Sequence, residues 1–164
     1  MSTMHPDVKF RLFHREDGPI ISEWATDLDY AFFFRRSLLI PSLDDCVNYP
    51  AWSQNIIMMV EDSSGSVIGL VNGYHADFKN KVICAGIILD KKVHKKGFAH
   101  NAYLGWANYL IDRYGFRKVV AEIVDPVFVE PLKNVGFFLE GTFKDECFIA
   151  GRLVDEYRLA FMRE

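Results

Sequence analysis

KVICAGIILDKKVHKKGFAHNAYLGWANYLIDRYGFRKVVAEIV, residues 81–124, decides the architecture. KVICAGIIL (81–89) is an apolar run, rich in branched side chains and ended by Asp90, which reads as a strand. From about Gly97 to Tyr114 the pattern changes to a helical one. Phe98, Ala102, Trp106 and Leu110, with Ala99, Tyr103, Ala107 and Ile111, form a wide apolar stripe. Gly115 is placed to end that helix in a left-handed turn. RKVVAEIV (117–124) is then a second buried strand. The stretch predicts a strand–helix–strand crossover at the centre of a mixed α/β domain.

Reading outward keeps the same class. Upstream, NIIMMVE (55–61) and SVIGLVNGYHA (66–76) are strands separated by DSSG. They continue into residues 81–89 across ADFKN as an antiparallel meander. VKFRLF (8–13) alternates and predicts a first strand. Asp17-Gly18-Pro19 and Ser42 mark two helix starts. Between them lies DLDYAFFFRRSLLIP (27–41), too aromatic for an ordinary solvated loop. Downstream, Asp125-Pro126 opens a helix to about Val135, closed by Gly136. FFLEGTFK (137–144) and LVDEYRLAFM (153–162) form a last pair of strands around DECFIAG. Without linker, repeat or low-complexity segment, residues 1–164 read as one domain.

Composition narrows the function. Half of the 164 residues are hydrophobic and 15% are aromatic, which excludes disorder. A formal charge of −3 lacks the broad basic excess of a nucleic-acid binder. No apolar run is long enough for a membrane span, and MSTMHPDVKF has no signal-peptide core. Cys46, Cys84 and Cys147 are scattered without CxxC spacing. That argues against a disulfide framework or a metal site and fits a reducing cytoplasm.

The cations before the central helix carry a chemical signal. The first turn of a helix has N–H groups without intrahelical partners and a partial positive charge, so it suits a phosphate. Gly97 permits close approach and unusual backbone angles. Lys91, Lys92, Lys95 and Lys96 surround it with mobile charge. GxxxxGK[ST] is absent, so this is not a Walker loop. The alternative is a solvated lysine loop closed by a glycine.

His94-Lys95-Lys96-Gly97-Phe98-Ala99 resembles the acyl-CoA motif [QR]-x-x-G-x-[GA] of the GCN5-related N-acetyltransferase (GNAT) superfamily, with His94 at the Gln or Arg position. AGIILD (85–90) is similar to that family's fourth strand. Gly136-Phe137 with Leu139-Glu140-Gly141 resembles the start of its sixth. Gly151 with Val154-Asp155-Glu156-Tyr157 resembles the terminal strand of the branch containing ribosomal-protein N-terminal acetyltransferases. The resemblance implies a mixed, mostly antiparallel sheet of about seven strands, flanked by about four helices, with one splayed strand pair. It also implies acetyl-CoA as co-substrate. Pantetheine amides would bond the strand near Ile87, Ile88 and Leu89, and the pyrophosphate would take the N–H groups of Lys95 to Ala99. His94 and His100 flank the cradle as phosphate contacts.

Amide formation needs a neutral amine, a donor for the developing oxyanion and proximity. The family's usual glutamate, tyrosine and asparagine positions hold Cys84, Leu132 and Asp125, so acid and base must come from elsewhere. Glu122 lies between Val120 and Val124 on its strand face, where apolar surroundings favour a base. The alternative is a carboxylate paired with Arg117 or another cation. His75, ending VNGYH, is a second base candidate, or a plain surface histidine. Cys84 reads as core packing. Tyr30, Phe32, Phe33, Phe34 and Trp52, with Asp27, Asp29, Asp44 and Asp45, offer aromatic walls and carboxylates for an ammonium-bearing acceptor. They read equally as core and helix caps. The expected function is acetyl transfer to a primary amine of a small molecule or a peptide amino terminus, in a ternary complex, by a monomer or homodimer. The alternative is a non-catalytic acyl-CoA-binding or protein-interaction module on the same fold.

Overall fold

Seven segments of strand-forming residues join one sheet. The computed structural model describes residues 7–30, 42–48 and 55–163. Its strands are β1 (Lys9–Leu12), β2 (Ile56–Glu61), β3 (Val67–Asp77), β4 (Val82–Leu89), β5 (Lys118–Ile123), β6 (Phe138–Ile149) and β7 (Arg152–Met162). They lie in the order β1-β2-β3-β4-β5-β7-β6. Only β4 and β5 pair in parallel; the other neighbours are antiparallel. The described helices are α1 (Gly18–Thr26), α2 (Leu43–Val47), α3 (Phe98–Tyr114) and α4 (Val129–Asn134). None of them is long and apolar enough to cross a membrane.

A parallel pair needs a crossover, and α3 supplies it. Its stripe buries Ala102, Trp106, Ala107 and Leu110, and Gly97 and Gly115 bound it with φ of 85° and 73°. Because strand side chains alternate, Ile83, Ala85, Val119 and Ala121 face this helix and join one large core. The opposite face carries a smaller core of α1, α2, β2, β3 and β4 side chains, including Trp24, Tyr30, Met59, Leu70 and Ile88. That second core takes in no residue of β5, β6 or β7. Among the described residues, this core covers one half of that face, and the other half lines a groove.

The central pair does not stay together. β4 and β5 pair from Val82/Lys118 to Ala85/Ala121 and then part, although β4 runs on to Leu89. This is the expected splay. Two other expectations need correction. DECFIAG is not a connecting loop: β6 runs through Ile149 and only Ala150-Gly151 turns, with φ of 49° and 81°. Two left-handed residues make a tight hairpin whose twist matches the strands. Register shifts at Leu139/Gly141 and Phe143/Cys147 absorb the extra residues as bulges, so charged DEC sits in a strand without regular alternation. The helix expected from Asp125 is also shorter. Asp125 accepts the Val127 N–H at 3.0 Å and caps a 3-10 turn, and the α-helix begins only at Val129.

Candidate active site

The splay exposes backbone. The Asp90 N–H donates to Ile68 O at 2.8 Å, and Gly69 stands opposite Leu89. In an antiparallel ladder this turns the amide groups of Ile88 toward β3 and those of Ile87 and Leu89 toward the gap. Of the three expected strand contacts, Ile88 is therefore corrected. Its backbone serves β3, and its side chain is buried in the smaller core.

The turn after β4 builds a helix mouth. Asp90 accepts the Lys92 N–H at 2.9 Å and starts a 3-10 turn over Lys91–Val93. The Lys96 N–H donates back to Val93 O at 3.3 Å, so it serves the turn itself. Lys95 takes φ 61° and Gly97 φ 85°, which aims the chain into α3. No side chain caps the helix at Gly97. The first-turn N–H groups, those of Phe98 and Ala99 included, thus have no partner within the helix and face outward beside exposed Lys95 and Lys96. His94 departs from the expected phosphate contact. Its Nε2 bonds Leu89 O at 2.8 Å and ties the turn to the strand end. His100 sits half-buried in the first turn of α3.

Three side chains singled out separately in the sequence meet elsewhere. Glu122, His75 and Cys84 all line one open groove of about 820 Å³ on the sheet face opposite α3. β3–β4 and β4–β5 register bring Cys84 beside Tyr74 and Val120, and Glu122 is the next residue on that face of β5. Glu122 is 8% exposed. Its surroundings are polar rather than apolar. The Tyr74 hydroxyl donates to Glu122 Oε2 at 2.7 Å, and Arg158 is its cross-strand neighbour on β7, in place of the expected Arg117. Arg117 instead donates to Asn80 O at 2.9 Å. His75 is exposed at the rim, at φ 49°, where β3 breaks register, and its ring packs edge-on against Tyr74. Asp77, Glu146 and Glu156 add carboxylates to the walls, and Cys147 Sγ donates to Glu156 Oε2 at 3.4 Å. Tyr74, Glu156 and Arg158 escaped the sequence reading. For Glu156 and Arg158 the one signal was a polar pair two residues apart on one face of β7; Tyr74 gave none.

In the aromatic region the one described residue, Tyr30, takes the core alternative. Tyr30 is 9% exposed, packs against Trp24 with ring centroids 6.2 Å apart, and accepts the Lys91 N–H at 2.8 Å. It is core and fastening, not a pocket wall. Lys91 Nζ bridges Asp27 and Asp29, at 2.6 Å each, so neither the lysine nor the aspartates match their expected roles at the phosphate and the acceptor. This lysine bond, with the Asp29 N–H, holds Asp27 below the usual carboxylate range. Asp45 caps α2 by exchanging bonds with Ser42, and Asp44 lies beside it in the same first turn. Phe32, Phe33, Phe34 and Trp52 lie outside the described residues. Leu132 is buried in the main core, so no hydroxyl stands at the family's tyrosine position. Among the described residues, no three His, Cys, Asp or Glu side chains gather as metal ligands.

Comparison with known proteins supports the fold and the family. A family model described as an acetyltransferase (GNAT) domain matches residues 7–125. The fold matches a spermidine N-acetyltransferase from Vibrio cholerae in complex with CoA and spermine, with TM-score 0.85 and 21% identity over 94% of this chain and 95% of that one. A SpeG chimera from Vibrio cholerae and hSSAT gives 0.82 and 22% over the same shares. A dodecameric form of the Vibrio cholerae enzyme gives 0.79 and 20%, over 94% of this chain and 93% of that one. At these identities the likeness concerns the fold. No curated protein matches the sequence. None of these structures is a ribosomal-protein acetyltransferase, so the branch suggested by the terminal strand gains no support from them.

Proposed function

The chain belongs to the acetyltransferase (GNAT) domain family, whose members transfer acetyl groups from acetyl-CoA to amines, and on that premise we propose that its acceptor is a primary amine of a small polycationic molecule. The supporting observation is that a carboxylate-lined groove meets the gap between β4 and β5 at Glu122. Among the groove's described lining residues are four carboxylates, Asp77, Glu122, Glu146 and Glu156, and one guanidinium, that of Arg158. Carboxylates spread along an open groove suit cationic centres spaced along a flexible chain better than the single charge of a peptide amino terminus. Fold relatives that are spermidine acetyltransferases support the same class.

In this reading the first-turn N–H groups from Gly97 to Ala99 hold the pyrophosphate, with Lys95 and Lys96 attracting it from a distance. Amide groups of Ile87 and Leu89 align the pantetheine in the gap. The cradle fits such a group, because its helix mouth carries no side-chain cap and Gly97, which has no Cβ to stand in the approach, takes the left-handed angle there. Glu122, fixed by Tyr74, accepts the proton that the ammonium sheds. The amine nitrogen then bonds the acetyl carbon while a strand N–H steadies the oxyanion; the carbon–sulfur bond breaks, and the proton that the acylated nitrogen loses passes through water to the departing thiolate, which leaves as the CoA thiol. His75 at the rim passes the proton to solvent. Cys84 is floor packing.

The test is release of free CoA thiol from acetyl-CoA with a panel of amines. Di- and polyamines should turn over fastest, and Glu122→Gln should lower kcat/KM about a hundredfold. Preference for a peptide amino terminus or a neutral aromatic amine would overturn the acceptor class. Absence of thiol release with every amine would overturn the reading.

A further inference from the structure

One buried polar atom in the described structure has no use in the mechanism above. Asn72 is 6% exposed, and its Oδ1 accepts no hydrogen bond. Leaving such an oxygen unsatisfied costs about 1–3 kcal/mol. Its position gives it a purpose. Asn72 stands opposite Gly86 across β3 and β4. Ala85 pairs with Ala121, so Gly86 is followed across the gap by Glu122, and Glu122 by Arg158. Asn72, Gly86 and Glu122 thus form one row across the sheet, at the point where the strands part. Side chains in such a row share a face. Gly86 contributes none. Two strand spacings put the outer backbones about 10 Å apart before any splay, a span that an asparagine, a glutamate and one amino group between them can bridge. The backbone of Asn72 is fixed from the other face, because Trp106 Nε1 of α3 donates to Asn72 O at 3.0 Å.

We propose that the row Asn72–Gly86–Glu122 is the seat of the acceptor nitrogen, with Asn72 Oδ1 accepting one of its N–H groups while Glu122 faces another. This rests on the reading of Glu122 as the acceptor-side base. Asn72 is a positioning and specificity residue. It orients the nitrogen lone pair toward the gap, and it selects an amine with at least two N–H groups.

Two variants test it. Asn72→Leu keeps the volume and removes the orphan oxygen. It should raise the acceptor KM about tenfold, leave the KM for acetyl-CoA within about twofold, and hold or raise Tm, since an unsatisfied buried group has gone. Gly86→Ala puts a methyl group in the middle of the row and should raise the acceptor KM in the same way. An asparagine with a merely structural role would instead lower Tm and affect both substrates alike, and that result, or failure of the leucine variant to fold, overturns the proposal. If Glu122→Gln disables turnover while both row variants behave like the parent, the seat is wrong and the base stands. If Glu122→Gln is also without effect, both fall.

Discussion

Replacing Gly97 changes two properties at a single residue. Its φ of 85° is left-handed, which costs any other L-residue about 1–2 kcal/mol. Its place before the uncapped first turn of α3 also sets what charge that mouth receives. Gly97→Glu would add a carboxylate where a diphosphate is proposed to sit. Titration calorimetry should show no heat from coenzyme A at concentrations that saturate the parent. For a chain of this length the strain should lower Tm by only about 2–8 °C; binding that survives would remove the cradle from the argument. This glycine was legible in the sequence because lysines and a helical stripe flank it within a few residues. Tyr30 was not. An aromatic ring reads equally as wall or core, and the partner that decides between them is the Lys91 N–H, sixty-one residues away. Glu122, His75 and Cys84 were each visible, but their meeting depended on register and on the break in β3, which no local spacing encodes.

Elements are joined by side chains that commit two strands and a helix at once. Arg11 of β1 grips Asp17 with two parallel bonds of 2.8 Å and reaches Glu61 of β2 at 2.5 Å. Asp17, directly before α1, also accepts the His14 N–H at 2.8 Å. Burial pushes the Asp17 carboxyl up, but the Arg11 guanidinium and the His14 N–H outweigh it, and the net shift is downward. A carboxyl depressed in the folded state contributes stability above its unfolded value near 3.9, and that contribution is lost as pH falls through the lower folded value. Asp17→Asn leaves Arg11 with a weaker partner and should cost about 3 kcal/mol at neutral pH. Denaturant melts of parent and variant should converge as pH falls below about 4; a gap that persists at low pH would assign the loss to packing. Element existence and order were legible because strand and helix periods differ so plainly here. The hairpin of β6 and β7 was not, since two bulges and an Ala-Gly turn hide the alternation that marks a strand.

The whole molecule is a sheet with a seam, and the seam governs what ligand binding does to stability. Each half has its own support. α3 backs β3, β4 and β5 through the larger core, and the smaller core holds α1 and α2 against β2, β3 and β4. Between Ala85 and Leu89 no described β5 residue pairs with β4, so a ladder of backbone bonds is missing along the inner edge of β4. Coenzyme A in that gap would restore part of the ladder and satisfy the α3 mouth together, and it would do so only in the folded state. At a hundred times its Kd a ligand adds about 2.7 kcal/mol, or about 5–10 °C in Tm for a chain of this size. The gain should also be local. Hydrogen exchange should slow at residues 86–89, 95–100 and 122–124. It should change little over 145–153, where the hairpin is largely exposed and Phe148 and Leu153 are 72% and 58% accessible. Protection spread evenly along the chain, or concentrated on that hairpin, would place the coenzyme away from the seam and separate the cradle at Gly97 from the groove at Glu122.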